Sequence, residues 1–66
     1  MTNNLKVLRA SASISQEELA RQIGVSRQTI NAMEKGKYVP STLLALKLAQ
    51  FFECPVEQIF SLEAGD

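Results

Sequence analysis

The chain has 66 residues and a mass of 7.3 kDa, enough for one domain that hides only about 60% of the surface its unfolded chain exposes. One cysteine and no histidine exclude a disulfide framework, a zinc site of thiolates and imidazoles, and the commonest general base near neutral pH. Seven basic residues balance seven acidic ones, but Lys6, Arg9, Arg21, Arg27, Lys35 and Lys37 leave residues 1–37 at net +3, while Glu53, Glu57, Glu63 and Asp66 leave residues 38–66 at net −3.

The first predicted helix covers about residues 3–12, where Leu5, Leu8 and Ala12 recur at helical spacing and Arg9 lies on the same apolar stripe. Ser15-Gln16-Glu17-Glu18 fits a capping box with Ser15 as N-cap and Glu18 three positions on, and Ile14 and Leu19 stand at staple positions. The second helix therefore starts at about 16, buries Leu19, Ala20 and Ile23, and ends at Gly24, which takes positive φ without steric cost. After only Gly24-Val25-Ser26 the pattern restarts, with Ser26 as N-cap of a third helix over about 27–35 that stops at Gly36. Two helices joined by three residues must turn sharply.

Lys37-Tyr38-Val39-Pro40 forms a loop to the next N-cap, Ser41, and to a fourth helix over about 42–53 that is apolar nearly all round, as expected of a central helix. Pro55 opens a short fifth helix carrying Val56, Ile59 and Phe60, and a polar tail follows. Residues 1–4 and 61–64 could pair as a short ribbon. The whole is expected to be a single all-α, five-helix domain over residues 1–66, with a helix-turn-helix core at about 15–36 and a dimerisation surface within about 43–62. The run Ile14-Ser15-Gln16-Glu17-Glu18-Leu19-Ala20, then Ile23-Gly24-Val25-Ser26-Arg27-Gln28-Thr29-Ile30, Glu34-Lys35-Gly36-Lys37 and Pro40 closely resembles the phage-repressor-like helix-turn-helix family, also called the xenobiotic-response-element family. Nearly the whole chain, about residues 3–61, takes part. The resemblance implies a compact lambda-repressor-like domain, a homodimer on a pseudo-palindromic operator, most often a repressor, and no enzymatic activity.

The residues themselves point the same way. With Ile30 at zero on a helical wheel, Gln28 falls at about 160°, Lys35 at about 140°, Asn31 at about 100° and Ala32 at about 200°, a slender face opposite the core. Such a face suits the major groove, where an amide reads adenine and a methyl touches thymine. Gln28 is the first candidate for base reading, followed by Arg27, Ala32 and Asn31. Arg27, on the flank, suits either a guanine or a phosphate. Phosphate contacts are assigned to Gln16, at a helix start with free amides, to Ser26 and Thr29 through hydroxyls, and to Lys35, Lys37 and Tyr38 beyond the third helix, with Asn31 also suited. For Tyr38, plain loop packing stands as an equal alternative.

Arg9 and Glu34 are inward charges of opposite sign and are expected to pair, because an unpaired buried charge costs several kcal/mol. Carboxylate and guanidinium are thereby removed from catalysis and from the principal DNA contacts. Leu43, Leu46, Phe52, Val56, Phe60 and Leu62 exceed what a five-helix core needs and form the pool for a dimer interface. Cys54 reads as a small core or helix-end residue, since no basic neighbour favours its thiolate. No metal, cofactor or membrane contact is expected. A lone thiol and the lack of a basic, then apolar leader at Met1–Asn4 suggest a cytoplasmic protein. The competing reading is an antitoxin-like or adaptor module that uses the same fold to hold a protein partner.

Overall fold

The computed structural model describes residues 1–66. Five helices follow in order: α1 (Leu5–Ser11), α2 (Gln16–Ile23), α3 (Arg27–Glu34), α4 (Thr42–Phe52) and α5 (Val56–Ile59). Two short strands, β1 (Thr2–Asn3) and β2 (Phe60–Ser61), pair antiparallel with Thr2 opposite Ser61 and Asn3 opposite Phe60. The ribbon expected between the two ends is thus present, one residue earlier on its second arm. Residues 2–3 belong to it, so α1 begins at Leu5 rather than at 3, and its N-terminal amide is taken by a side chain: Leu5 N–H donates to Asn3 Oδ1 at 3.1 Å.

Each serine expected to cap a helix does so. Ser15 Oγ accepts from Glu18 N–H at 3.0 Å, Ser26 Oγ from Thr29 N–H at 3.1 Å and Ser41 Oγ from Leu44 N–H at 3.2 Å, each satisfying a first-turn amide that the helix itself leaves without a partner. The capping box at α2 is only half made. Glu18 does not reach back to Ser15, because its carboxylate accepts instead from Arg21, at 2.6 Å, and from Gln22, at 2.8 Å, on the exposed side of the same helix. Gly24 closes α2 with φ +85°, and its N–H donates to Ala20 carbonyl at 2.8 Å. Gly36 likewise has φ +73° just after α3, where the Lys37 N–H returns to Ala32 carbonyl at 2.9 Å.

Leu5, Leu19, Ala20, Ile23, Ile30, Met33, Leu44, Leu48, Ile59 and Phe60 make one buried cluster drawn from every helix. Ala20, buried and small, lies on the side of α2 that packs on α3, and α2 also packs on α4. Ala12, expected on the inner stripe, is exposed because α1 stops at Ser11. The fourth helix also departs from expectation. Only Leu44 and Leu48 of α4 are buried, whereas Leu43 and Leu46 are 65% and 56% exposed, so α4 lies at the edge of the domain rather than at its centre. In a chain this small no further layer exists to cover its far side. It ends at Phe52, and Glu53 takes the left-handed cap conformation, φ +55°, that glycine occupies at α2.

Candidate nucleic-acid interface

The turn between α2 and α3 aims the first turn of α3 outward. Arg27 and Gln28 are exposed there, and neither side chain forms a hydrogen bond or ion pair within the chain. One turn further on, Asn31 and Ala32 are half-buried, and Lys35 stands exposed at the end of the helix. Gln28, Ala32 and Lys35 therefore run along one side, with Arg27 and Asn31 on its flank. Ile30 and Met33 are fully buried on the opposite side. Lys37 and Tyr38, the latter 42% exposed, continue the surface into the loop. Tyr38 also lines a hollow between the α2–α3 turn and α4, shared with Val25, Leu43 and Lys47, as loop packing requires.

Of the hydroxyls proposed for phosphates, Ser26 Oγ serves as the α3 cap and lies 3.0 Å from Thr29 Oγ1. These two groups are already paired with each other and reach outward only through remaining capacity. Gln16 is tied inward as well: its Nε2 donates to Glu34 Oε1 at 3.0 Å, leaving one N–H free. The residue type at a helix start indicated a polar contact but not this one, which depends on where Glu34 sits across the domain.

Behind the surface lies the expected ion pair. Arg9 Nε donates to Glu34 Oε2 at 2.8 Å and a second guanidinium nitrogen to Oε1 at 3.3 Å, while a third N–H meets Ile14 carbonyl at 3.0 Å. The Glu34 side chain is 6% exposed and that of Arg9 17%. Burial by itself pushes the Glu34 carboxyl up, but bonds from Arg9 and Gln16 outweigh it and hold the carboxyl below its ordinary 4.5. A carboxylate with a lowered folded-state pKa stabilises the fold in full at neutral pH and loses that contribution as pH falls through the folded value. The melting temperature should accordingly fall more steeply between about pH 5 and about pH 3 in the native protein than in Arg9→Met/Glu34→Leu, measured by circular dichroism. Equal slopes would contradict the coupling.

The apolar candidates for a partner do not form one patch. Leu46 and Val56 line a groove with Met1, Val39, Pro40, Ala45 and Phe60, whereas Leu43 lines the separate hollow beside Tyr38. Phe52 is half-buried in an edge-to-face contact with Phe51, ring centres 5.0 Å apart. Phe60, counted in the pool, is only 9% exposed and belongs to the core; its ribbon partner Asn3 holds it there. Leu62 is 79% exposed on the tail, and Val39, in the loop before α4 and outside the expected pool, is 69% exposed at the groove. Cys54 is half-buried at the end of α4 and packs against the core.

Residues 5–59 match the helix-turn-helix family along nearly the whole described fold. The chain belongs to the helix-turn-helix family. An HTH-type transcriptional regulator from Methanocaldococcus jannaschii is 56% identical over 63 residues, covering 96% of each chain. The cryptic phage CTXphi transcriptional repressor RstR from Vibrio cholerae is 35% identical over 60 residues, 91% of this chain and 54% of that one. In three dimensions the chain is similar to the restriction-modification controller protein C.AhdI from Aeromonas hydrophila, with a TM-score of 0.76, 32% identity and 85% of each chain covered. This helix-turn-helix protein is a DNA-binding transcriptional regulator of the phage-repressor-like type, and α2 and α3 are its motif. No helix of it is long and apolar enough to cross a membrane.

Proposed function

We propose that the protein represses transcription as a homodimer on a pseudo-palindromic operator, each copy laying α3 in the major groove. The observation that carries this reading is the surface of α3: Gln28 is exposed and unbonded, and Arg27, Lys35 and Lys37 around it form no ion pair, while Arg9 and Arg21 do. Free cations beside an uncharged reading face are what a polyanion with base edges in its groove requires. Gln28, with Ala32 and Asn31, reads bases; Arg27 reads or clamps; Lys35, Lys37 and Tyr38 hold the backbone, with Gln16, Ser26 and Thr29 through their remaining donors.

One α3 contacts too few base pairs to specify a site in a genome, and two copies about 34 Å apart read two half-sites. The groove of Val39, Leu46 and Val56, with Leu43 and Leu62 nearby in sequence, supplies apolar surface for the second copy. Gln28→Ala is expected to lose about 1 to 3 kcal/mol on a selected site and little on random DNA, while Lys37→Ala weakens both alike. Affinities on the two duplexes, measured by fluorescence anisotropy, decide it. Equal losses for Gln28→Ala would remove that residue from base reading.

A further inference from the structure

Residues 38–66 contain a single cation, Lys47, among Glu53, Glu57, Glu63 and Asp66. Its place on α4 gives it no counter-charge. Leu43, Leu44, Gln50 and Phe51, three and four positions away, are all uncharged, and the Lys47 ammonium forms no ion pair within the chain. Long side chains on a helix lean toward its N-terminus, so Lys47 lies over the turn that begins α4. There it lines a hollow of about 190 Å³ with Gly24 and Val25 of the α2–α3 turn, Tyr38 of the loop after α3, and Ser41 and Leu43. The acidic half of the sequence thus sends its one cation to the neighbourhood of α3.

Every polar side chain in the lining can donate. Lys47 supplies an ammonium, Tyr38 a hydroxyl, and Ser41 an O–H that stays free because its oxygen accepts from Leu44 N–H. No carboxylate lines the hollow. Its volume is below the about 300 Å³ at which small-molecule pockets begin, so a single anionic group suits it better than a metabolite. We propose that the hollow seats one phosphate of the DNA backbone and that Lys47 is a positioning residue for α3. This rests on the proposed placement of α3 in the major groove. The hollow draws on the segment just before α3 and the segment just after it, so one phosphate held there fixes both ends of the reading helix relative to the duplex.

Affinities for a selected operator and for random DNA, measured by fluorescence anisotropy across a range of salt, test it with native protein, Lys47→Gln, Lys47→Arg and Tyr38→Phe. Lys47→Gln is expected to weaken binding to both duplexes by the same factor, about threefold or more, and to make the slope of log K against log salt shallower by about 1 per copy. That contribution adds to the one from Arg27, Lys35 and Lys37. Lys47→Arg should keep the slope, and Tyr38→Phe should weaken both duplexes with the slope unchanged, since a hydroxyl releases no counterion. Without DNA the melting temperature of Lys47→Gln should stay within about 4 °C of the native value, as for an exposed substitution. An unchanged slope in Lys47→Gln would overturn the proposal: with a lower melting temperature it would mark a structural lysine, and with inorganic phosphate still shifting the Val25 and Leu44 amides in an NMR titration it would assign the hollow to a free anion. A loss confined to the operator would overturn it too, because a phosphate contact does not discriminate between bases. Native protein with no preference among duplexes would instead overturn the proposed function, while the slope on random DNA still decides the hollow.

Discussion

Arg9→Met is expected to destabilise the domain by about 3 to 5 kcal/mol, the usual result of removing one partner from a buried ion pair. The substitution leaves the Glu34 carboxylate, 6% exposed, with Gln16 as its single remaining donor, and it strips Ile14 carbonyl of the Arg9 N–H. For a chain of this length the whole stability is about 3 to 10 kcal/mol, so the variant loses a large share of it and its melting temperature falls by roughly 15 °C or more. Replacing both partners, as Arg9→Met/Glu34→Leu, should recover much of the loss, since no charge is then left buried without a counter-charge. An unchanged melting temperature in the single variant would show that the pair is not buried in solution.

Affinity for a selected operator should fall by about 10³ between roughly 50 and 200 mM salt. Arg27, Lys35 and Lys37 stand free of internal ion pairs in each copy, which gives about six cations in a dimer and a slope of log K against log salt of about −5. Zero net charge does not weaken this expectation. Counterion release depends on the cations at the phosphates, while the acidic surplus of residues 38–66 lies in other elements. Arg27→Gln should make the slope shallower by about 1 per copy if Arg27 clamps a phosphate, and change the preferred base if it reads guanine. A flat salt response would remove the electrostatic part of the proposed function.

The elements most legible in the sequence were those fixed by local chemistry. Ser15, Ser26 and Ser41 each announced a helix start by a side-chain oxygen three residues before an amide, and Gly24 announced the turn that sets α3 against α2. Arg9 and Glu34 were legible for a different reason, because two inward charges far apart in sequence imply one another. Tertiary placement hid the rest. A helix wheel cannot tell that α4 lies at the edge, since an apolar residue on an uncovered face has the same letter as one in the core. The end of α4 was blurred by one residue because Glu53, not glycine, takes the left-handed cap. Gln16 reads as a phosphate contact at a helix start, and only the position of Glu34 and Asn31 across the domain shows that its side chain is held.

The ribbon places Thr2 opposite Ser61, and Asn3 Nδ2 donates from it to Met33 carbonyl at 2.7 Å in the last turn of α3. The far end of α3 is therefore braced from a ribbon that joins the two ends of the chain, and closing so long a loop carries a large entropy cost. In the order of folding, such a contact comes late: the α2–α3 turn assembles from neighbours, and the brace arrives only when the two extremities of the chain have found each other. A nascent chain that has already emitted the motif thus lacks this support until residues 60–61 have been synthesised.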